Sequence, residues 1–180
     1  LFSATAKANE LAFGHKGVPR VDLEKANYIL GIGSDFLDVG ISSLYQTRGF
    51  ADSHSYRNGK KGKFVQLESH LTLTGAKADT RLIIPPGSEL VCSLLLLRAL
   101  SENVSAKGSL RVKEEVRKIL SQNRSILLDG YDQAGISRET FDNLATDLLK
   151  QTSVLMTGGT GNSGEDGTLL QLVGILGNLL

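Results

Sequence analysis

Two short apolar strands in the middle of the chain each end in residues able to hold a ligand. Phe64-Val65-Gln66-Leu67 runs into Glu68-Ser69-His70, and Leu82-Ile83-Ile84 runs into Pro86-Gly87-Ser88-Glu89, which opens a long apolar helix. In a parallel sheet, ligands bind just beyond the carboxyl ends of the strands, so polar residues crowded there read as the rim of a nucleotide pocket. A carboxylate at a strand tip offers several lone pairs, so Glu68 can accept from a ribose diol or a guanine edge; solvation, or pairing with Lys77, would use it equally well. Ser88 has the chemistry of an N-cap, and Glu89 stands at the positive end of the helix, where it can accept from the N1 and N2 groups of guanine. Between the two strands, Thr74 and Asp79 are placed to fix the loop.

Upstream, Gly31-Ile32-Gly33-Ser34-Asp35 follows the apolar run Tyr28-Ile29-Leu30. Glycine at a strand-to-helix turn lets the backbone approach a ligand, and exposed N–H groups there can hold phosphate oxygens. Position 36 is Phe, so the dinucleotide fingerprint Gly-x-Gly-x-x-Gly is incomplete, and a tight turn with Asp35 capping the next helix fits the same residues. Thr157-Gly158-Gly159-Thr160-Gly161 is a second glycine-rich turn able to approach a pyrophosphate.

Catalytic constellations are missing from the sequence. His15, His54 and His70 lack zinc-ligand spacing, and there is no Gly-x-Ser-x-Gly nucleophile turn. The single cysteine, Cys92, lies in an apolar helix and reads as a small buried hydrophobe, which excludes a disulfide framework or an iron-sulfur cluster within these residues. A net charge of +1 with dispersed Lys and Arg gives no field for nucleic acid or an anionic membrane, and Lys60-Lys61-Gly62-Lys63 reads as a solvated loop. No apolar run approaches the ~18 residues of a membrane span, so direct membrane insertion is not expected.

The elements that must position these residues alternate between helix and strand. That order implies a single three-layer αβα domain over residues 1–180, with a mostly parallel, Rossmann-like sheet. Helices are expected at about 4–13, 36–50, 88–101, 110–121, 141–150 and 168–180, the second from the spacing of Leu37, Ile41, Leu44 and Tyr45. Strands are expected at 28–32, 64–67, 80–84 and 153–156, each apolar enough to be buried on both faces. Ser137 is an N-cap candidate with Glu139 favourable in the first turn. Residues 123–135 form a connector whose Ile126-Leu127-Leu128 fits either a short helix or a packing strip.

The block from Phe64 to Glu89 resembles the guanine-dinucleotide-binding segment of the molybdopterin oxidoreductases, through Glu68, Leu73-Thr74-Gly75-Ala76-Lys77-Ala78-Asp79 and Pro86-Gly87-Ser88-Glu89. Ala26 to Leu37 is similar to an earlier strand of that family, ending in Gly-x-Asn/Asp. Leu-Thr-Gly-Ala-x-Ala-Asp is typical of the polysulfide and thiosulfate reductase branch and of the molybdopterin-oxidoreductase-like subunit of alternative complex III.

The resemblance implies a domain holding a guanosine arm of molybdopterin guanine dinucleotide, with Gly33, Ser34, Asp35, Glu68, Ser69, Thr74, Gly87, Ser88 and Glu89 as cofactor-binding candidates. No metal ligand falls within these residues. The family's Asp-Pro-Arg is replaced here by Glu68-Ser69-His70, and the lost Arg takes a phosphate or ring contact with it. This change leaves room for a cofactor-free scaffold domain of an electron-transfer complex.

The central domain of thiamine-diphosphate enzymes is a third alternative, against which the Thr74–Asp79 and Pro86–Glu89 pairing argues. The chain starts at Leu1 and stops at Leu179-Leu180 inside an apolar helical pattern, so it is expected to be a piece of a longer molybdopterin oxidoreductase, inactive alone. Implied partners are the remaining domains, an iron-sulfur subunit and a membrane quinone-reactive subunit, in a periplasmic or membrane-associated complex.

Overall fold

The computed structural model describes residues 3–40, 42–56, 61–158 and 164–180. Its centre is a four-stranded, all-parallel sheet in the order β3-β2-β1-β4, built from β1 (Tyr28–Ile32), β2 (Lys63–Glu68), β3 (Thr80–Ile83) and β4 (Ser153–Thr157). Side chains alternate across a strand, so each central strand feeds two cores. Tyr28, Leu30, Ile32, Val65 and Leu67 face the larger core, beneath α1 (Ser3–Phe13), α3 (Glu89–Glu102), α7 (Arg138–Lys150) and α8 (Gly164–Gly177). Ile29, Phe64 and Met156 face a smaller one with Leu23, Ala26, Phe36 and Phe50, the last carried by α2 (Ser43–His54). The result is the three-layer α/β arrangement implied by the sequence.

Burial of all four strands on both faces holds only for the inner pair. Every residue of β1 is buried, whereas β3 lies at the sheet edge with Ile83 68% exposed. β4, the other edge, is covered by side chains. Both the N–H and C=O of Leu155 are bound at 2.8 Å by the Asn178 amide of the segment after α8, and Gln171 donates to the Thr157 carbonyl. Capping an edge in this way blunts it against pairing with another chain.

Helix α2 begins at Ser43, not at Phe36. Phe36 is drawn into the smaller core instead, and Ser42 turns the chain through the left-handed region at φ 54 before the helix starts. Tertiary packing thus overrides the helical spacing. Leu44, counted in that stripe, is 87% exposed, and Ile41 lies outside the described residues.

The connector after α4 (Leu110–Gln122) folds as two short helices, α5 (Arg124–Leu128) and α6 (Gly130–Ala134). Ser137 does cap α7, accepting from Thr140 N. Helix α8 starts and ends earlier than its apolar pattern suggests, at Gly164 and Gly177. Residues 159–163 of the second glycine-rich turn lie outside the described residues, as do residues 57–60 of the lysine-bearing loop. Lys61 and Lys63 are not merely solvated, since they pair with Asp79 and Asp147.

Cys92 is buried within α3, and burial pushes its thiol up to about 12. Only the thiolate reacts appreciably. Iodoacetamide at pH 8 is therefore expected to leave Cys92 unmodified in the folded protein and to alkylate it fully in urea, as read by intact mass.

Candidate functional site

All four strands run the same way, so their terminal turns meet along one edge of the sheet. After β1, Gly33 takes φ +60, a conformation that favours glycine, and its N–H donates to Leu67 O of β2 at 2.8 Å. Space forbids a side chain there as well. A Cβ at position 33 would stand 2.5 Å from Gly158 O and 2.7 Å from Glu89 Cγ. The turns after β1 and β4 and the start of α3 therefore converge on Gly33.

Ser34 is buried and its carbonyl accepts from Gln66 Nε2 at 3.1 Å. Gln66 is fully buried in the middle of β2, opposite Gly31. A Cβ on Gly31 would overlap the Gln66 amide, so this glycine serves the neighbouring strand rather than a ligand. Gln66 Oε1 has no partner among the described residues. Neither role was readable from the first glycine motif alone; the available signal was a glycine and a polar residue inside two otherwise apolar strands.

Asp35 does not cap the next helix, which starts eight residues later. Its Oδ1 accepts from the Thr74 hydroxyl at 2.5 Å and from Thr74 N at 3.3 Å, while Thr74 Oγ1 accepts from Leu37 N at 3.1 Å. Thr74 is fully buried and ties the turn after β1 to the loop between β2 and β3. Asp79 fixes the other end of that loop by accepting from Phe64 N at 2.8 Å and Lys61 Nζ at 2.6 Å. Partial burial pushes its carboxyl up, but these hydrogen bonds outweigh burial and hold it below the usual carboxylate range.

Glu68 is turned into the protein, where its cation is Arg81 of β3 rather than Lys77. Ser69 is half-buried, with its hydroxyl 3.3 Å from His70 Nδ1. Gly87 takes φ +83 on the surface, where a Cβ would meet nothing within 4 Å. Ser88 does not cap α3 with its side chain, because its hydroxyl donates to Pro85 O at 2.6 Å. Glu89 of that turn reaches the β1 tip, its Cγ lying 2.7 Å from where a Cβ on Gly33 would stand.

The chain runs β1, β2, β3 outward on one side and then crosses back to place β4 on the other side of β1, which makes β1/β4 the topological switch point. A cavity of about 810 Å³ lies beside β4 and reaches this point, with Ser34, Asp35, Thr157 and Gly158 in its wall. Its other walls include Phe13, Arg20, Phe36, Gln46, Met156 and Ile175. Glu68 and Glu89 are not among its lining residues. Among the described residues, no group of three or more His, Cys, Asp or Glu is placed to hold a metal, and no helix is long and apolar enough to cross a membrane.

The parallel sheet with helices on both faces defines a three-layer α/β domain. No protein-family model matches the chain. It is 27% identical, over 183 residues, to the menaquinone reductase molybdopterin-binding-like subunit of Nitratidesulfovibrio vulgaris. That match covers 97% of this chain but only 25% of the relative, so the chain spans about a quarter of that protein's length. The likeness supports a relation to the molybdopterin oxidoreductases at the level of the family as a whole.

Proposed function

We propose that this chain is the α/β domain holding one guanosine arm of molybdopterin guanine dinucleotide within a molybdopterin-oxidoreductase-type protein. The observation that carries the reading is the convergence on Gly33. The buried Ser34, together with Asp35 locked by Thr74, stands in the wall of the switch-point cavity, and Glu89 at the positive end of α3 reaches the adjoining Gly33 turn without lining that cavity. A cavity of about 810 Å³ is within the range of small-molecule pockets. The backbone at Ser34 would take the phosphates, and Glu89 would accept from the guanine edge. Bound in the whole protein, the cofactor supplies the redox chemistry; this domain supplies position. The chain alone is expected to be silent in turnover.

Calorimetric titration with GDP and ADP tests this. GDP should bind more tightly than ADP, and Glu89→Ala should weaken GDP about tenfold, a larger loss than from Asp79→Ala, whose side chain holds a distant loop. Equal heats from both nucleotides would instead support a second reading, a cofactor-free scaffold domain of an electron-transfer complex. The observation favouring that reading is the engagement of Glu68 by Arg81. Tight metal binding with redox activity would overturn both. Under either reading the partners are the rest of a longer chain, an iron-sulfur subunit and a membrane quinone-reactive subunit, in a periplasmic or membrane-associated assembly.

A further inference from the structure

A carboxylate at a strand tip serves a ligand only while its lone pairs are free. Glu68 is buried and already has a donor on each oxygen. Its side chain is 2% exposed, Oε2 accepts from the Thr72 hydroxyl at 2.7 Å, and Oε1 accepts from Arg81 Nε at 2.5 Å. Thr72 N also points at Oε1, at 3.5 Å. Gly75 lies so close to the carboxylate that a Cβ there would collide with both oxygens, so the loop clasps the group from the other side. Arg81 pairs with Gln66 across the β2–β3 ladder and reaches diagonally to Glu68, so the bridge joins two strands of the sheet rather than a strand and a loop.

Taking the carboxyl edge as the nucleotide site, as proposed above, we infer that Arg81 occupies the place of a ribose diol at Glu68, and that this edge takes a nucleotide through its base and phosphates with no contribution from the 2′- and 3′-hydroxyls. A diol would present two O–H donors to a strand-tip carboxylate. Here the Thr72 hydroxyl and the Arg81 N–H already present two donors, one of them carrying a charge that a diol lacks, and charge-assisted hydrogen bonds are the stronger kind. A neutral diol gains nothing by displacing them. Arg81 is thus the specificity-determining residue, and Glu68 is withheld from the ligand.

The probes are GDP and 2′,3′-dideoxy-GDP, titrated calorimetrically into the chain, into Arg81→Met, which keeps an apolar stem but donates nothing, and into the neutral double variant Glu68→Gln/Arg81→Met. The natural chain is expected to bind both nucleotides within twofold. Arg81→Met is expected to prefer GDP by about tenfold, since its freed carboxylate can accept from the diol, and the double variant to lose that preference. If Arg81→Met does not fold by circular dichroism, Arg81→Leu, which is likewise apolar and donates nothing, takes its place with the same readouts. A fivefold preference for GDP in the natural chain would overturn the inference, as would a folded Arg81 variant that binds neither nucleotide or does not discriminate. Binding of GDP by the Arg81 variant but not by the natural chain would sink the guanosine reading for this protein while leaving the closure by Arg81 standing.

Discussion

Phe64→Ala is expected to lower the unfolding free energy by about 4 kcal/mol, the range measured for removing a large aromatic from a packed core. Phe64 is fully buried and meets Phe50 at 5.4 Å and Phe36 at 5.6 Å between ring centroids, both edge-on, a geometry favourable beyond the area it buries. For a chain of 180 residues the loss corresponds to about 8–16 °C in Tm. The damage should be local to the site as well. Phe36 follows Asp35 directly, and the Leu37 N–H is held by Thr74, so loosening Phe36 should speed amide exchange at Leu37 before it does so at Leu30 of β1. Ile83→Ala, at a position 68% exposed, is the control and should stay within about 0.5 kcal/mol of the parent in urea unfolding. A loss below 1.5 kcal/mol for Phe64→Ala, by the same core-substitution scale, would mean that the smaller core is not what holds the turn.

The strands β1, β2 and β4 were legible because their apolar residues are contiguous, as burial between two layers demands. The same rule misjudged the burial of β3 and β4, for which the apolar run gives no sign that the strand ends the sheet. Helix α2 shows the limit of periodicity: Leu37 sits at helical spacing with Ile41, Leu44 and Tyr45, but the aromatic packing of Phe36 and the Thr74 hydroxyl, 37 positions from Leu37, hold this segment out of the helix.

In the candidate site, the turn at Gly33 and the approach of Glu89 could be anticipated from parallel topology, since turns at the same ends of parallel strands must be neighbours. The partners inside that edge could not. Gln66 and Arg81 are polar residues within short strands, and what they do depends on which residue lies opposite: Gly31 for one, and the residue two places before Glu68 for the other. Cross-strand register, unlike the pattern along one strand, is not written locally. Thr74 was readable as a loop anchor, though not its partner Asp35, 39 residues earlier.

The bridge between Glu68 and Arg81 should reveal itself in stability independently of any ligand. With Glu68 2% and Arg81 27% exposed, removing the cation alone strands a desolvated carboxylate, and breaking a buried pair from one side costs about 3–5 kcal/mol. Arg81→Met should therefore lose about 3 kcal/mol in urea unfolding at pH 7, toward the lower end because the guanidinium keeps some contact with water. Glu68→Gln should cost less, since an amide oxygen can still accept from Thr72 and the freed Arg81 can turn to solvent. The double variant should be more stable than Arg81→Met alone, because a neutral Gln needs no cation, and the resulting coupling should be about 2 kcal/mol. Additive losses, with no coupling, would show that the two groups do not act as a pair in solution. Glu68 would then be free to swing outward, and the carboxylate at the tip of β2 would return to the set of groups available to a ribose.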